Sequence, residues 1–421
     1  MPRRTKTRRK PQSARRKPIT KRKKTKRKVS SVKRRTVSKP KKKNIKRLSL
    51  RQSLLRHIRT RRRAAPAVFK FKEPPLHKHE SNPIIEPREG NWWEMKATFN
   101  PGAVFADNRV HLLYRAIGGN DVSVLGYASS DNGITVTERL DEPAFVPIVK
   151  KKPVSPYPTP RIDYLSGGGW NGGCEDPRLT LIDDRVYLTY TAFDGWGSIR
   201  IALSSIGRDD FLAKRWKWKN AMLISPPGEV HKNWVLFPEK INGKFAILTS
   251  ISPEIMIEYV DDLNEFERDD RFIRSHYDRH ANTKSWDSWV RGAGPPPIKT
   301  KLGWLLFYHA MDTRDPNRYK LGAMVLDGSD PTKILYRTRA PILEPDEWYE
   351  NTGWKSGVVY SCGAVVKDGT LFVYYGGADS VSCVAMADLD KFLDELKQHG
   401  VPKLIAQPRP GRGVDLRTGS V

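Results

Sequence analysis

Two adjacent carboxylates, Glu175 and Asp176, are the strongest candidates for catalytic groups in this sequence of 421 residues. They lie in the motif Gly-Gly-Cys-Glu-Asp-Pro-Arg at residues 172–178, which opens a strand-like run over residues 179–190. A carboxyl group held on a proline turn at the start of a strand is suited to acid catalysis if its surroundings control its protonation. Because Asp-Pro is also a common turn, the motif alone leaves both a catalytic and a structural role open for Asp176.

Further polar residues stand at the ends of other strand-like runs. The residues of this set are Asn100, Arg115, Lys232, Arg291, His309, Asp312 and Asp379. One candidate acid among several basic groups, with aromatic side chains nearby, favours a polar reaction in which an anion takes part. The pattern therefore predicts a site to which several strands each contribute a residue.

The strands that must position these residues occur in five similar units. Each unit has a turn rich in Asp, Asn or Gly, a β-type run, another turn and a second strand. The units pair residues 108–114 with 124–128, 184–190 with 199–203, 242–248 with 255–257, 302–308 with 321–325, and 368–374 with 383–386. Five antiparallel units predict an all-β fold, a five-bladed β-propeller, which leaves few strand edges exposed. A two-sheet β-sandwich built from the same strands stays open as the alternative.

One helix is also predicted, over residues 388–400. Its first turn is acidic and a glycine ends it, which is the pattern of a capped helix.

The positive charge of the chain is confined to its N-terminal segment. Residues 1–63 contain 31 Lys and Arg and no Asp or Glu, so the remaining 45 basic and 46 acidic residues nearly cancel. A segment with so much charge and so few apolar residues is expected to be disordered and to bind polyanions such as nucleic acid or an anionic surface. The predicted organisation is a basic arm over 1–66, a linker and entry segment over 67–90, a catalytic domain over 91–405 and a tail over 406–421.

Composition argues against several other classes of protein. No apolar run approaches the roughly 18 residues that a membrane span needs, and no apolar segment of a signal peptide follows the basic N-terminus. The three cysteines, Cys174, Cys362 and Cys383, show neither a disulfide framework nor the spacing of zinc ligands. We therefore expect reduced thiols, no metal and a cytoplasmic protein, and a homo-oligomer is compatible with the sequence.

From about residue 82 to residue 397, the sequence resembles glycoside hydrolase family 130, the inverting β-mannoside phosphorylases and related mannosidases. The matching motifs, in the order of the family, are Asn-Pro-Gly-Ala at 100–103, Leu-Leu-Tyr-Arg-Ala at 112–116, Gly-Cys-Glu-Asp-Pro-Arg at 173–178, Leu-Phe-Pro-Glu-Lys at 236–240, Gly-Ala-Gly-Pro-Pro-Pro at 292–297, Gly-Trp-Leu-Leu-Phe-Tyr-His at 303–309, Tyr-Lys-Leu-Gly-Ala at 319–323 and Tyr-Tyr-Gly-Gly-Ala-Asp at 374–379. Family members are five-bladed propellers, so the resemblance implies the fold that the repeats also predict.

The resemblance implies that Asp176 is the general acid and donates its proton to the glycosidic oxygen through the 3-hydroxyl of the mannose ring. Inorganic phosphate is the co-substrate; it attacks the anomeric carbon from the opposite face and needs cations rather than a second carboxylate. No other cofactor is implied. The positions that match phosphate ligands are Arg115, Lys232, Arg291, His309 and Tyr319. The candidate substrate-binding residues are Asn100, Glu175, Arg178, Asp312 and Asp379, of which Asn100 and Asp379 match mannose contacts.

One departure from the family pattern keeps hydrolysis open. Where phosphorylases commonly carry a His-Arg pair, this sequence has Thr249 and Ser250, so one expected phosphate ligand is missing. An inverting hydrolase would need a base about 6.5 to 9.5 Å from the acid, and Glu239, Glu254 and Asp312 are the candidates.

A propeller that binds glycan or a polyanion without catalysis is a further alternative. Four tryptophans could stack on sugar rings or pack within the protein, and they are Trp92, Trp93, Trp170 and Trp196.

Overall fold

A computed structural model describes five stretches of the chain, residues 69–146, 172–193, 199–268, 270–275 and 285–400. The predicted basic arm and C-terminal tail, together with Trp170 and Trp196, lie outside these residues.

Strands make up most of the regular structure. In chain order they are β1 (His77–Lys78), β2 (Ala97–Ala106), β3 (Arg109–Ile117), β4 (Val122–Ser130), β5 (Glu138–Arg139), β6 (Gly172–Ile182), β7 (Arg185–Phe193), β8 (Ile199–Gly207), β9 (Met222–Leu223), β10 (Val235–Leu236), β11 (Phe245–Ser250), β12 (Met256–Val260), β13 (Trp289–Ala293), β14 (Ile298–Thr300), β15 (Gly303–Asp312), β16 (Asp315–Leu326), β17 (Ile334–Arg337), β18 (Val359–Lys367), β19 (Thr370–Gly377) and β20 (Val381–Asp388). The described helices are short: α1 (Arg208–Leu212), α2 (Trp348–Asn351), α3 (Leu389–His399) and a 3-10 turn at Leu263–Glu267. The expectation of an all-β fold is confirmed.

The described strands form five antiparallel groups. The groups are β2-β3-β4-β5, β6-β7-β8-β9, β10-β11-β12, β13-β15-β16-β17 with β14 on β15, and β18-β19-β20 with β1. A short parallel contact joins the first two groups, where Val122 pairs with Gly172. In the last group, β1 pairs with β20 through His77 and Met386, so the beginning and the end of the described chain share one sheet.

Apolar clusters lie between consecutive groups. In β3, Leu112 belongs to a cluster with Phe372 of β19, whereas its neighbour Leu113 belongs to a cluster with Leu188 of β7. The same holds farther along the chain, where clusters join β8 to β11, β11 to β15, and β15 to β19. Successive side chains of a strand point to opposite faces, so a strand covered on both faces needs a near-continuous apolar run such as the one in β3.

A polar unit built on a buried tyrosine and a buried carboxylate recurs in three of the groups. In each, a tyrosine hydroxyl donates to a carboxylate that also pairs with a cation. The three sets are Tyr114, Glu94 and Arg139; Tyr308, Asp287 and Arg337; and Tyr375, Glu350 and Lys78. Buried charges are tolerated when they are paired and hydrogen-bonded, and the recurrence indicates that these groups are built alike.

The predicted helix at the C-terminal side is confirmed as α3. The side chain of Asp388 accepts a hydrogen bond from the Lys391 backbone N–H at 2.9 Å, and the Gly400 N–H donates to the Leu396 carbonyl at 2.7 Å. These two caps place the ends of the helix where the sequence predicts them.

Within the residues that the structure describes, no helix is long and apolar enough to cross a membrane. The three cysteines are free and buried. The same part of the chain contains no group of three or more His, Cys, Asp or Glu side chains placed to hold a metal ion.

Candidate active site

Asp176 lies at an irregularity of β6, where the pairing with β7 shifts between Glu175 and Arg178. Its backbone has a φ of 52°, in the left-handed region that aspartate and asparagine tolerate better than most residues. The buried carboxylate accepts a hydrogen bond from Asn100 Nδ2 at 2.8 Å and lies 3.4 Å from Arg115 Nη1. The bulge therefore turns this side chain toward residues of β2 and β3, as bulges commonly do next to active sites.

Glu175 holds two of the candidate phosphate ligands. Its carboxylate accepts hydrogen bonds from Arg115 Nη2 at 2.8 Å and from Lys232 Nζ at 3.1 Å. All three side chains are buried. Because the two cations come from distant parts of the chain, Glu175 fixes their positions relative to Asp176.

These charges control the ionisation of Asp176. Burial alone would raise the pKa of its carboxyl, but the charges of Arg115, Lys232 and Arg178 and the hydrogen bond from Asn100 lower the pKa from 3.8 to about 2. In the absence of substrates, Asp176 is therefore an anion at neutral pH. A carboxyl that acts as a general acid must first gain a proton.

Arg178 stabilises the bulge through hydrogen bonds to backbone and side-chain oxygens. Its guanidinium donates to the Asp176 carbonyl at 2.7 Å, to the Gly294 carbonyl at 2.9 Å and to Asn233 Oδ1 at 2.8 Å. Asn233 also donates to the Arg291 carbonyl at 2.6 Å and accepts from the Tyr360 hydroxyl at 2.6 Å. Sequence reasoning missed Asn233, although it follows the candidate ligand Lys232 directly. Arg178 and Asn233 thus tie β6 to β13 and β18.

His309 differs in charge from the sequence interpretation, which grouped it with the cations. Burial and the nearby charge of Arg178 lower its pKa to about 3. Its Nε2 accepts a hydrogen bond from the Ser361 backbone N–H at 2.9 Å, and its ring stacks on Tyr360 with centroids 3.9 Å apart. A neutral imidazole that accepts at Nε2 carries its proton on Nδ1. His309 is therefore a neutral donor at physiological pH.

Arg291 and Tyr319 lie against each other on the β13 and β16 side. The Arg291 guanidinium lies 4.8 Å from the ring centroid of Trp289 and 6.0 Å from that of Tyr319. The ammonium group of Lys355 lies 4.6 Å from the Tyr319 ring centroid. Sequence reasoning missed Lys355, because it follows a turn and belongs to none of the matching motifs.

Asp379 completes the cluster from the turn after β19, with a φ of 50°. Burial raises the pKa of its carboxyl, whereas the charges of Lys355 and Arg115 oppose that rise and the charge of Asp176 adds to it. Asp379 therefore shares the electrostatic surroundings of Asp176. The structure thus brings six of the other candidates together around Asp176, and they are Asn100, Arg115, Glu175, Arg178, Lys232 and Asp379.

One known family matches most of this chain. The family model described as β-1,4-mannooligosaccharide phosphorylase, glycoside hydrolase family 130, matches residues 75–398. The chain belongs to glycoside hydrolase family 130. The resemblance drawn from the sequence motifs is confirmed.

Curated relatives of this family 130 chain are phosphorylases. A 1,2-β-oligomannan phosphorylase of Thermoanaerobacter sp. (strain X514) is 38% identical over 75% of this chain and 97% of its own length. A β-1,2-mannobiose phosphorylase of the same organism is 35% identical over 75% of this chain and 98% of its own length. Among solved structures, the β-1,2-mannobiose phosphorylase of Listeria innocua in complex with β-1,2-mannobiose has a TM-score of 0.59 and 25% identity, and the match covers 77% of this chain and 99% of that one.

The candidate hydrolytic bases of this family 130 chain have other described contacts. Asp312 accepts a hydrogen bond from Arg314 Nε at 2.8 Å. Glu239 pairs with Lys299, and Glu254 is exposed. None of these described contacts reaches the cluster around Asp176.

The two residues that replace the His-Arg pair lie beside the cations. Thr249 and Ser250 line one cleft with Lys232 and Arg291. Their hydroxyls donate to the Met256 and Ser252 carbonyls. Neither side chain carries a charge, so neither replaces the missing arginine as a cationic ligand for phosphate.

The described tryptophan candidates divide by exposure. Trp93 is buried and donates to the Asp141 carbonyl at 2.7 Å, whereas Trp92 is exposed.

Proposed function

We propose that this family 130 chain is an inverting phosphorylase that cleaves a β-mannoside with inorganic phosphate and releases mannose 1-phosphate. The observation that carries the proposal is the buried carboxyl of Asp176 next to the cations Arg115, Arg178 and Lys232, whose charges lower its pKa. A phosphate nucleophile is already an anion, so it requires cations to hold it and no base to activate it. The two Thermoanaerobacter relatives, both of them mannoside phosphorylases, support the same reaction.

The reaction breaks the bond between the anomeric carbon and the glycosidic oxygen while a phosphate oxygen bonds to that carbon from the opposite face. The electron pair of the broken bond goes to the leaving oxygen. Asp176 gives its proton to the 3-hydroxyl of the mannose, and that hydroxyl passes its own proton to the leaving oxygen. Inversion converts the β-mannoside into an α-linked phosphate.

The other members of the cluster have distinct roles in this proposal. Arg115, Lys232, Arg291 and Tyr319 hold the phosphate, and His309 donates to it through Nδ1 as a neutral group. Asn100 and Asp379 contact the mannose ring. Glu175 and Arg178 act through their neighbours, because Glu175 positions two cations and Arg178 bonds the backbone of Asp176. Buried donors that are fixed before the reaction stabilise developing charge without reorganising.

We also propose that the five strand groups are the blades of a propeller. Each of the five large apolar clusters is shared by two consecutive groups, and one of them joins the last group to the first. The pairing of β1 with β20 supports closure of the same ring. In a propeller the innermost strands meet at the central axis, where β2, β6, β13 and β18 would bring the site residues together.

The proposal is tested by following mannose 1-phosphate and free mannose separately, with β-1,2- and β-1,4-linked mannosides, in the presence and absence of phosphate. We expect mannose 1-phosphate that forms only with phosphate, and a loss of about 100- to 10,000-fold for Asp176→Asn. Asp368→Asn is the matched control, because Asp368 also has a left-handed backbone, with a φ of 50°, but its carboxylate is exposed and pairs with Lys367. Its activity should equal that of the unaltered enzyme.

Two results would contradict the proposal. Free mannose formed without phosphate would establish a hydrolase. Binding of mannosides without turnover would establish a glycan-binding protein.

We further propose that residues 1–63 bind a polyanion and that the enzyme works in the cytoplasm. The first proposal is supported by 31 basic and no acidic residues in that segment, and the second by three free, buried cysteines. Binding to heparin or to a nucleic acid should weaken steeply with salt and be absent from a variant that lacks residues 1–63, with catalytic activity unchanged.

A further inference from the structure

Asn233 is a buried residue to which the proposed reaction assigns no role. It lies between Lys232 and the start of β10, and only 4% of it is exposed. Its φ of 67° lies in the left-handed region, which asparagine and glycine adopt more readily than other residues. The chain therefore turns sharply at Asn233, directly after a candidate phosphate ligand.

The side-chain amide of Asn233 makes hydrogen bonds to three different strands. Its Oδ1 accepts from Arg178 Nη2 at 2.8 Å and from the Tyr360 hydroxyl at 2.6 Å. Its Nδ2 donates to the Arg291 carbonyl at 2.6 Å. An amide oxygen has two lone pairs, so this oxygen is fully occupied by its two donors.

The bond to Arg178 connects the amide to the candidate acid. The same guanidinium donates to the Asp176 carbonyl at 2.7 Å, and its other described acceptors are the carbonyls of Gly294 and Ala293. Arg178 is only 1% exposed, so it depends on these protein oxygens rather than on water. Asn233 therefore helps to fix the group that holds the backbone of Asp176.

The bond to Tyr360 connects the amide to His309. The Tyr360 ring stacks on the imidazole, with centroids 3.9 Å apart and an angle of 12° between the two planes. The Ser361 N–H occupies His309 Nε2, and the buried Nδ1 has no hydrogen-bond partner among the described residues. A tyrosine anchored on Asn233 therefore fixes the plane of the ring that is expected to donate to phosphate.

The bond to the Arg291 carbonyl holds β13 close to the amide. The next residue of this strand, Gly292, packs directly on Asn233, since a Cβ on Gly292 would lie only 2.8 Å from Asn233 Cβ. Glycine permits such a close approach because it has no side chain. The backbone of a second candidate phosphate ligand is thus held by the same amide.

We propose that Asn233 is a positioning residue, and that its amide sets the candidate acid at a fixed distance from the candidate phosphate ligands. The inference rests on the proposed function. An inverting displacement requires the proton donor and the nucleophile on opposite sides of the anomeric carbon, and a misplacement of about 1 Å lowers a rate by about 100-fold. One amide bonded to both sides of the site controls that distance.

Asn233→Gly tests this role, because glycine adopts the left-handed backbone and lacks the amide. With a β-mannoside and phosphate as substrates, kcat should fall about 10- to 100-fold. The KM for phosphate should rise about two- to tenfold, the loss expected for one hydrogen bond. The KM for the mannoside should stay unchanged, since the described contacts of Asn233 do not include Asn100 or Asp379.

Asn242→Gly is the matched control. Asn242 also has a left-handed backbone, with a φ of 51°, but it is exposed in the turn between β10 and β11. Its kinetic constants should equal those of the unaltered enzyme. If Asn233→Gly lowers the melting temperature but leaves kcat and both KM values unchanged, its role is structural and the inference is overturned. An equal rise in the two KM values would also overturn it.

Tyr360→Phe gives a second test that does not depend on the folding of Asn233→Gly. It removes the hydroxyl that Asn233 anchors and keeps the ring on His309. The KM for phosphate should rise about two- to fivefold, and an unchanged value would overturn the inference. Tyr374→Phe is the control, because that buried hydroxyl donates to the Gly133 carbonyl at 2.7 Å, and its KM for phosphate should equal that of the unaltered enzyme.

Failure of the proposed function is distinguishable from failure of this inference. If the unaltered protein forms no mannose 1-phosphate from any β-mannoside, the proposed function is wrong. Titration calorimetry with inorganic phosphate then decides on the positioning role alone: weaker binding by Asn233→Gly than by Asn242→Gly supports it, and equal binding or none overturns it.

Discussion

Phosphate binding should raise the pKa of Asp176 and so cause its carboxyl to take up the proton that the proposed reaction needs. In the unliganded site, the charges of Arg115, Lys232 and Arg178 and a hydrogen bond from Asn100 outweigh burial and hold the pKa of this carboxyl at about 2. At pH 7 only about one molecule in 100,000 then carries the proton that the reaction needs. A doubly charged phosphate bound to the same cations opposes their effect, so the pKa of Asp176 must rise when phosphate binds.

The size of the rise follows from the charges. A unit negative charge about 6 Å from a carboxylate raises its pKa by about 2 units at an effective dielectric constant of 20. Two such charges raise the pKa by about 4 units, from about 2 to about 6. Between these two values the unliganded carboxyl is ionised and the phosphate complex is protonated, so phosphate binding takes up a proton. At pH 6 the uptake is about half a proton per phosphate, and it declines as the pH rises further.

Calorimetric titration of phosphate at pH 6, in buffers with different enthalpies of ionisation, measures this proton uptake. Asp176→Asn is the control, because the amide keeps an oxygen that can accept from Asn100 but cannot titrate. Phosphate's own change of protonation is common to both proteins, so the difference between them isolates Asp176. The asparagine variant should also bind phosphate more tightly at pH 8, since it lacks the carboxylate that repels the anion.

Equal proton uptake by the two proteins would refute this reasoning. It would mean that the proton on Asp176 does not depend on the charge of the bound phosphate.

Three further predictions concern the surroundings of the site. Asp287→Ala leaves the guanidinium of Arg337, whose side chain is only 11% exposed, without its carboxylate and should lower the free energy of unfolding by about 3–5 kcal/mol. Tyr308→Phe should lower it by about 1–2 kcal/mol. Urea denaturation measures both losses, and equal losses would contradict the charge argument. Burial lowers the pKa of His309 to about 3, so its NMR signals should show an uncharged ring with the proton on Nδ1 from pH 8 down to pH 5, and a titration in that range would contradict the assignment. Arg291→Met should raise the KM for phosphate about 10- to 100-fold, the loss expected for one charged hydrogen bond, while Arg291→Lys should lose less; an unchanged KM in Arg291→Met would remove this residue from the phosphate site.

Much of the architecture follows from short-range patterns. The apolar runs with turn residues between them predict strands because each run is buried by its own neighbours, and the caps of α3 are two residues that the sequence shows directly. Asp176 can also be identified from the sequence as the candidate acid, through its motif and the family resemblance. These features depend on residues that are close together in the chain.

The charges and protonation states of the site residues depend on contacts between residues that are far apart in the chain. Glu175 reaches Arg115 and Lys232 across about sixty residues in either direction, and no local pattern indicates that it positions cations. The sequence places His309 among the cations, but it becomes a neutral donor because folding buries it and places Ser361 against its Nε2.

The sequence by itself determined that the chain is all-β, that its strands recur in five units and which motif carries the candidate acid. Only the tertiary structure decided that Asn233 joins three strands and that Lys355 lies against Tyr319. The physical reason is that strand formation depends on side-chain periodicity within one segment. Charge, protonation and exposure depend on which segments folding brings into contact.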